Sequence, residues 1–186
     1  MTQNSLDPGD QIPAARRIQA QTLTPEAFAP YGHVARPGLG DVKAIRNDRV
    51  HLSKSETAFS HQPDAKEVKL DFYEVAPETH QLVASVIERH NLSSQMFSPM
   101  NAARWLVVIW PDGPARAPLA FVAGPQDVVT YAPGLWHHGI AAIDRPACFT
   151  SLMWKKGDIA VDTEFLTLDR AWGIGWPDGG PEGLSA

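Results

Sequence analysis

The sequence predicts a mainly β protein, folded as an antiparallel sandwich or barrel with a few short helices. Three observations lead there. Short β-forming runs recur at near-regular spacing along the chain. With 16 prolines and 14 glycines among 186 residues, turns interrupt it too often for long helices. One run, Arg104 to Trp110, is almost continuously apolar and ends at Pro111-Asp112-Gly113-Pro114, a strong turn signal.

Taken in order, residues 1–15 read as a loose leader, 16–170 as a single domain, and 171–186 as a Gly/Pro/Trp-rich tail. Arg16 to Gln21 suits a first strand. Thr24-Pro25-Glu26 starts a helix: Thr24 caps, Pro25 fits the first helical position, and Glu26 favours the positive end of the dipole. Pro30 and Gly32 stop that helix early. From Arg36 to Asp64 the pattern predicts loops and edge strands. Val68 to Val75 alternates like a half-buried strand. Further strands are expected at Leu82 to Arg89, Arg104 to Trp110, Pro118 to Ala123, Asp127 to Tyr131, Ala147 to Trp154 and Thr163 to Leu168.

The totals exclude several classes. A net charge of −5 favours neither nucleic acid nor anionic membrane. No apolar stretch is long enough to span a bilayer. The polar first residues show no signal peptide, so the cytoplasm is the expected compartment. Cys148 alone rules out an intrachain disulfide, and its apolar surroundings suit a buried, inert thiol.

The chemistry concentrates in two stretches. The first is Glu88-Arg89-His90 followed by Gln95, just ahead of the apolar run; the second is Tyr131-Ala132-Pro133-Gly134-Leu135-Trp136-His137-His138. Alternation puts Glu88 and His90 on one face of a strand, with Arg89 turned away. His137 and His138 point to opposite faces, so at most one of them is expected to look inward. His33, His51, His61 and His80 lie in polar, loop-like contexts and are expected at the surface. The spacing resembles the paired motifs of the cupin superfamily. Glu88 stands at the first histidine position, His90 at the second, Gln95 at the glutamate and Ala102 at the glycine, while His137 comes from the second motif. Such a set, Glu88, His90, Gln95 and His137, suits a borderline divalent ion such as nickel, zinc or manganese, although a site working without metal is also open.

A more specific resemblance rests on Phe28-Ala29-Pro30-Tyr31-Gly32, Glu88-Arg89-His90, Ser94-Gln95-x-Phe97-x-Pro99-Met100, Gly134-Leu135-Trp136-His137-His138 and Glu164-Phe165-Leu166-Thr167-Leu168-Asp169. Together these resemble the ureidoglycolate lyases, formerly called ureidoglycolate hydrolases. The resemblance implies a cupin-type, jelly-roll-like barrel, a homodimer, and cleavage of ureidoglycolate to glyoxylate and urea in allantoin breakdown. Thr130, Gly139 and Glu74 stand where the family usually has Asn, Pro and Arg, and Asn47-Asp48 where it has Asn-Gly. These departures keep two alternatives open: a divergent cupin enzyme acting on another small hydroxy or amide acid, and a non-catalytic small-acid binder. Within the lyase reading, His90 or His137 is the general base and Glu88 orients an imidazole or acts as acid. Arg104 or Arg89 pairs with the substrate carboxylate, and Gln95, Tyr131 and His138 hydrogen-bond the substrate.

Overall fold

The computed structural model describes residues 12–57, 59–157 and 162–178. After a single 3₁₀ turn, Ala14–Arg16, the elements are β1 (Arg17–Gln19), β2 (Gln21–Thr22), α1 (Pro25–Phe28), β3 (Gly32–Ala35), β4 (Asp41–Ile45), β5 (Val50–Lys54), β6 (Glu67–Val75), β7 (Pro77–Glu78) and β8 (Leu82–Arg89). They continue with β9 (Gln95–Pro99), β10 (Arg104–Trp110), β11 (Leu119–Ala123), β12 (Val128–Tyr131), β13 (Trp136–His137), β14 (Ala141–Ile143), β15 (Ala147–Lys155) and β16 (Glu164–Gly175).

Two sheets carry the fold. The larger runs β1-β16-β8-β13-β10-β11-β2, with β14 beside β10 and β7 beside β14; the smaller runs β3-β12-β9-β15-β6. β4 and β5 form a separate hairpin. Most pairs are antiparallel, as expected, but β1–β16, β2–β11 and β7–β14 are short parallel additions. The result is the expected cupin-type β-barrel, with one short helix.

The barrel closes around one core. Trp105, Val107 and Ile109 of β10 pack with Phe97 of β9, Val129 and Tyr131 of β12 and Phe149 of β15. The alternate residues of β10, Leu106, Val108 and Trp110, face a second cluster with Trp136, Ile143, Trp172 and Ile174. β10 is therefore buried on both faces, which is why its sequence is apolar without alternation. Phe28, capped into place by Thr24 Oγ1 accepting from the Ala27 amide at 3.2 Å, plugs the first core.

Several expectations shift. The boundary at 170 falls inside β16, which continues to Gly175 and buries Trp172 and Ile174. Of the expected leader, Ile12 is buried and residues 14–16 form the 3₁₀ turn; residues 1–11 lie outside the described residues, as do 179–186 of the tail. Residues 95–99 form a strand that the pattern did not announce, and it lies at the centre of the smaller sheet. Glu74 registers beside Cys148 on β15 and is exposed, on the opposite face from the core residue Phe149. Its charge is thus directed away from the barrel interior.

Candidate active site

The site assembles from one row across the larger sheet and one strand of the smaller. Ile109, His137 and Glu88 are direct neighbours across β10, β13 and β8. Ile109 belongs to the interior core, so its cross-strand neighbours Glu88 and His137 point inward too. His90 follows two residues after Glu88 and shares its face, as the spacing predicted. Gln95 opens β9 on the opposite sheet, between Tyr131 and Met153. His90, His137 and Gln95 are buried, at 5%, 1% and 4% exposure, and Glu88 is partly buried.

Hydrogen bonds outside the cluster set the proton positions within it. His137 Nδ1 lies 2.9 Å from the Leu135 carbonyl, and His90 Nδ1 lies 3.1 Å from the Asp162 carbonyl. A backbone carbonyl only accepts, so each Nδ1 carries the hydrogen and donates it. In the neutral rings the Nε2 lone pairs are then left facing the cluster. His137 Nε2 meets Glu88 Oε1 at 3.5 Å and the Gln95 side-chain oxygen at 3.0 Å; His90 Nε2 lies 3.9 Å from the same Glu88 oxygen. His90 Nε2 is buried without a hydrogen-bond partner.

Four acceptors thus converge where a buried acceptor wants a donor. A cation satisfies all of them. Ligand atoms of Glu88, His90 and His137 lie within 4.8 Å of one another. Ligands held about 2.1 Å from one ion stand roughly 3.0–3.4 Å apart, so small side-chain shifts close this set. Two imidazoles, a carboxylate and an amide oxygen match a divalent transition ion, and the carbonyl-anchored Nδ1 atoms are the usual outer support of such histidines. These residues fit a metal. The electrostatics agree with a cation-seeking site. Burial alone would raise the Glu88 pKa, but where the two imidazoles are protonated, their hydrogen bonds and charge override it and hold the carboxyl well below its ordinary range.

Tyr131 lies under this cluster. Its ring stacks on His137 at 4.3 Å and 12°, while burial, with the Glu88 charge nearby, drives its hydroxyl pKa far up and keeps it a neutral phenol. His138 borders the site, but its Nδ1 turns to the Gly139 carbonyl at 2.7 Å and no hydrogen bond joins it to the four acceptors. Burial lowers its pKa. Neither arginine is brought to the cluster. Arg104 grips Asp144 bidentately, at 2.7 and 2.6 Å, and donates to the Pro177 carbonyl; it shares the β10 face of Leu106, not that of Trp105. The expected substrate-binding Arg104 is thereby corrected to an outer-face ion pair. Arg89 pairs with Glu164 at 2.8 Å and lies 4.5 Å over the Trp136 ring, also away from Glu88. The sequence reading missed the Asp162–Thr163 segment that holds His90, and the face of β6 that carries Lys69, Asp71 and Tyr73. Alternation showed that these three share a face, but not which way it looks.

A double-sheeted barrel with a two-histidine, one-carboxylate and one-amide cluster between its sheets defines a cupin-type β-barrel whose cluster could hold a cation. Residues 15–174 match the family described as Ureidoglycolate lyase, and the chain belongs to that family. A ureidoglycolate lyase of Mesorhizobium japonicum is 31% identical over 167 residues, covering 87% of this chain and 99% of that one. One from Chelativorans sp. is 32% identical over 136 residues, covering 72% and 82%. Among solved structures, a dTDP sugar isomerase from Desulfovibrio desulfuricans G20 aligns with a TM-score of 0.45 and 19% identity, over 75% of this chain and 87% of that one.

Proposed function

We propose that the protein is a ureidoglycolate lyase that releases glyoxylate and urea in allantoin breakdown, with Glu88, His90, Gln95 and His137 holding a nickel, zinc or manganese ion. The observation that carries this reading is the convergence of four acceptors, three of them buried and one of those orphaned, in a member of this family. Ureidoglycolate is a carbinolamide, with hydroxyl, carboxylate and ureido nitrogen on one carbon. Its cleavage removes the hydroxyl proton, moves that electron pair into a new C=O bond, and breaks the C–N bond. The departing nitrogen keeps the C–N pair and takes up a proton. No covalent nucleophile is needed.

A bound divalent ion would anchor the carboxylate and acidify the carbinol hydroxyl. The chain's own residues do the rest. The Leu135 and Asp162 carbonyls fix both imidazoles, Tyr131 stacks on His137, and Phe97, Ile109 and Phe149 belong to the apolar core on the same interior side. A second reading follows from the unpartnered His90 Nε2: a metal-free site in which that nitrogen takes the carbinol proton. A urea-release assay with and without chelator separates the two. Loss of turnover on chelation, restored by added ion, supports the metal site; unchanged turnover supports His90 as base. His90→Ala and His137→Ala are expected to stay folded and to lose at least about a hundredfold in kcat/KM. Normal turnover by both variants would overturn the site assignment.

Two further expectations belong to this proposal. One cysteine leaves no disulfide framework, which suits the reducing cytoplasm. A homodimer is supported by the outer face of the smaller sheet. There Val68, Leu70 and Phe72 of β6 are 47%, 53% and 67% exposed, in register with Trp154, Leu152 and Thr150. An exposed apolar row of this kind marks an interaction surface.

A further inference from the structure

The inner face of β6 is left over from the mechanism above. β6 is the edge strand of the smaller sheet, and Tyr73 registers beside Phe149, an interior core residue, so it points into the barrel. Its ring packs edge-on against Phe97 at 5.7 Å; Phe97 packs edge-on against Tyr131 at 6.1 Å, and Tyr131 stacks on His137. An unbroken line of rings therefore runs from Tyr73 to the cluster. Tyr73 stands at the outer end of that line and is 36% exposed. Among the described residues its hydroxyl makes no hydrogen bond. Burial, followed by the charges of Asp71 and Glu88, raises its pKa, so at neutral pH the phenol is a donor and its electrostatic neighbours include the site carboxylate. Asp71, two residues away on the same face, is held by Lys155 Nζ at 3.0 Å.

From this placement we infer that Tyr73 is a substrate-binding residue whose hydroxyl donates a hydrogen bond to the ureido oxygen. The carboxylate and hydroxyl end of the substrate faces Glu88, His90 and His137. The ureido arm is the part left to extend toward the mouth, and its carbonyl oxygen is the acceptor a phenol there would meet. Tyr73 thereby selects a hydroxy acid that carries a ureido arm over one that lacks it. This rests on the lyase reading, and it adds the group that recognises the leaving urea.

The test is Tyr73→Phe, which keeps the ring against Phe97 and removes only the hydroxyl. Two competitive probes are titrated during ureidoglycolate turnover. Oxalurate has the ureido arm and carboxylate, with a carbonyl in place of the carbinol carbon. Glycolate has the hydroxyl and carboxylate alone. Loss of one neutral hydrogen bond is expected to raise the oxalurate inhibition constant and the KM for ureidoglycolate about three- to tenfold, with the glycolate constant unchanged. Equal weakening of both probes would make Tyr73 a structural support, and no weakening of either would remove it from the site; each overturns the inference while turnover by the unaltered protein preserves the lyase reading. No urea release by the unaltered protein would sink that reading and this inference together.

Discussion

Gly32 and Arg104 illustrate how single residues are decided by what lies opposite them. A β-carbon on Gly32 would fall 2.0 Å from the Thr130 carbonyl oxygen and 3.0 Å from the Phe28 ring. The glycine in Phe28-Ala29-Pro30-Tyr31-Gly32 thus allows β3 to pair with β12 directly beneath Phe28. Gly32→Ala is expected to cost at least about 1 kcal/mol, read as a lower urea midpoint at unchanged slope. Arg104→Ala should leave KM unchanged and stability within about 1 kcal/mol, because its ion pair with Asp144 is partly exposed and lies on the other face of β10 from Ile109 and the acceptor cluster; a raised KM would return Arg104 to the site. Glu88 and His90 were legible because an i, i+2 spacing on a strand fixes a shared face. His137 was legible from the turn that re-enters a strand. Arg104 was not, because its partner lies 40 residues on and nothing local announces the pair.

Among the elements, β10 was legible and β9 was not, and burial explains both. β10 is covered on its two faces, so every position from Trp105 to Trp110 is apolar. β9 reads Gln-Met-Phe-Ser-Pro, with a site amide at its first position and a proline at its last, and the rule that strands are apolar fails there. It is a strand because β12 and β15 flank it and supply its ladder. Trp105 joins both concerns: it is fully buried, packs edge-on to Phe149 at 5.4 Å, and donates from Nε1 to the Gly124 carbonyl at 3.1 Å. Trp105→Ala should cost about 3–5 kcal/mol in denaturant unfolding. Val68, Leu70 and Phe72 of β6 lie on its outer face, so under the proposed homodimer Phe72→Asp is expected to convert a dimer to a monomer in light scattering with no loss of Tm beyond that of dissociation. An unaltered mass would remove that face from the assembly.

At the scale of the molecule, a cation held by the proposed site would tie the two sheets to each other. Glu88 and His137 belong to the larger sheet and Gln95 to the smaller, so an ion held by all of them is a cross-link that only the folded chain can make. Adding zinc or nickel at about 100 times its dissociation constant should stabilise the fold by about 2.7 kcal/mol, seen as a higher Tm that His90→Ala and His137→Ala both lose. The barrel and the candidate cluster were legible from turn spacing and the two motifs; the short parallel pairings were not, because pairing between residues 65 to 156 apart leaves no local pattern. One of those pairings has a mechanical consequence. β1 and β16 lie side by side and point the same way, Arg17 beside Gly173 through Gln19 beside Gly175, and the ladder ends with the Ala20 amide on the Gly175 carbonyl at 2.8 Å. A pull applied between residue 12 and residue 178 loads these strands from opposite ends. Their hydrogen bonds are then sheared together and do not open one by one, so the chain should resist stretching from its ends more strongly than a pull that peels β6 from its sheet.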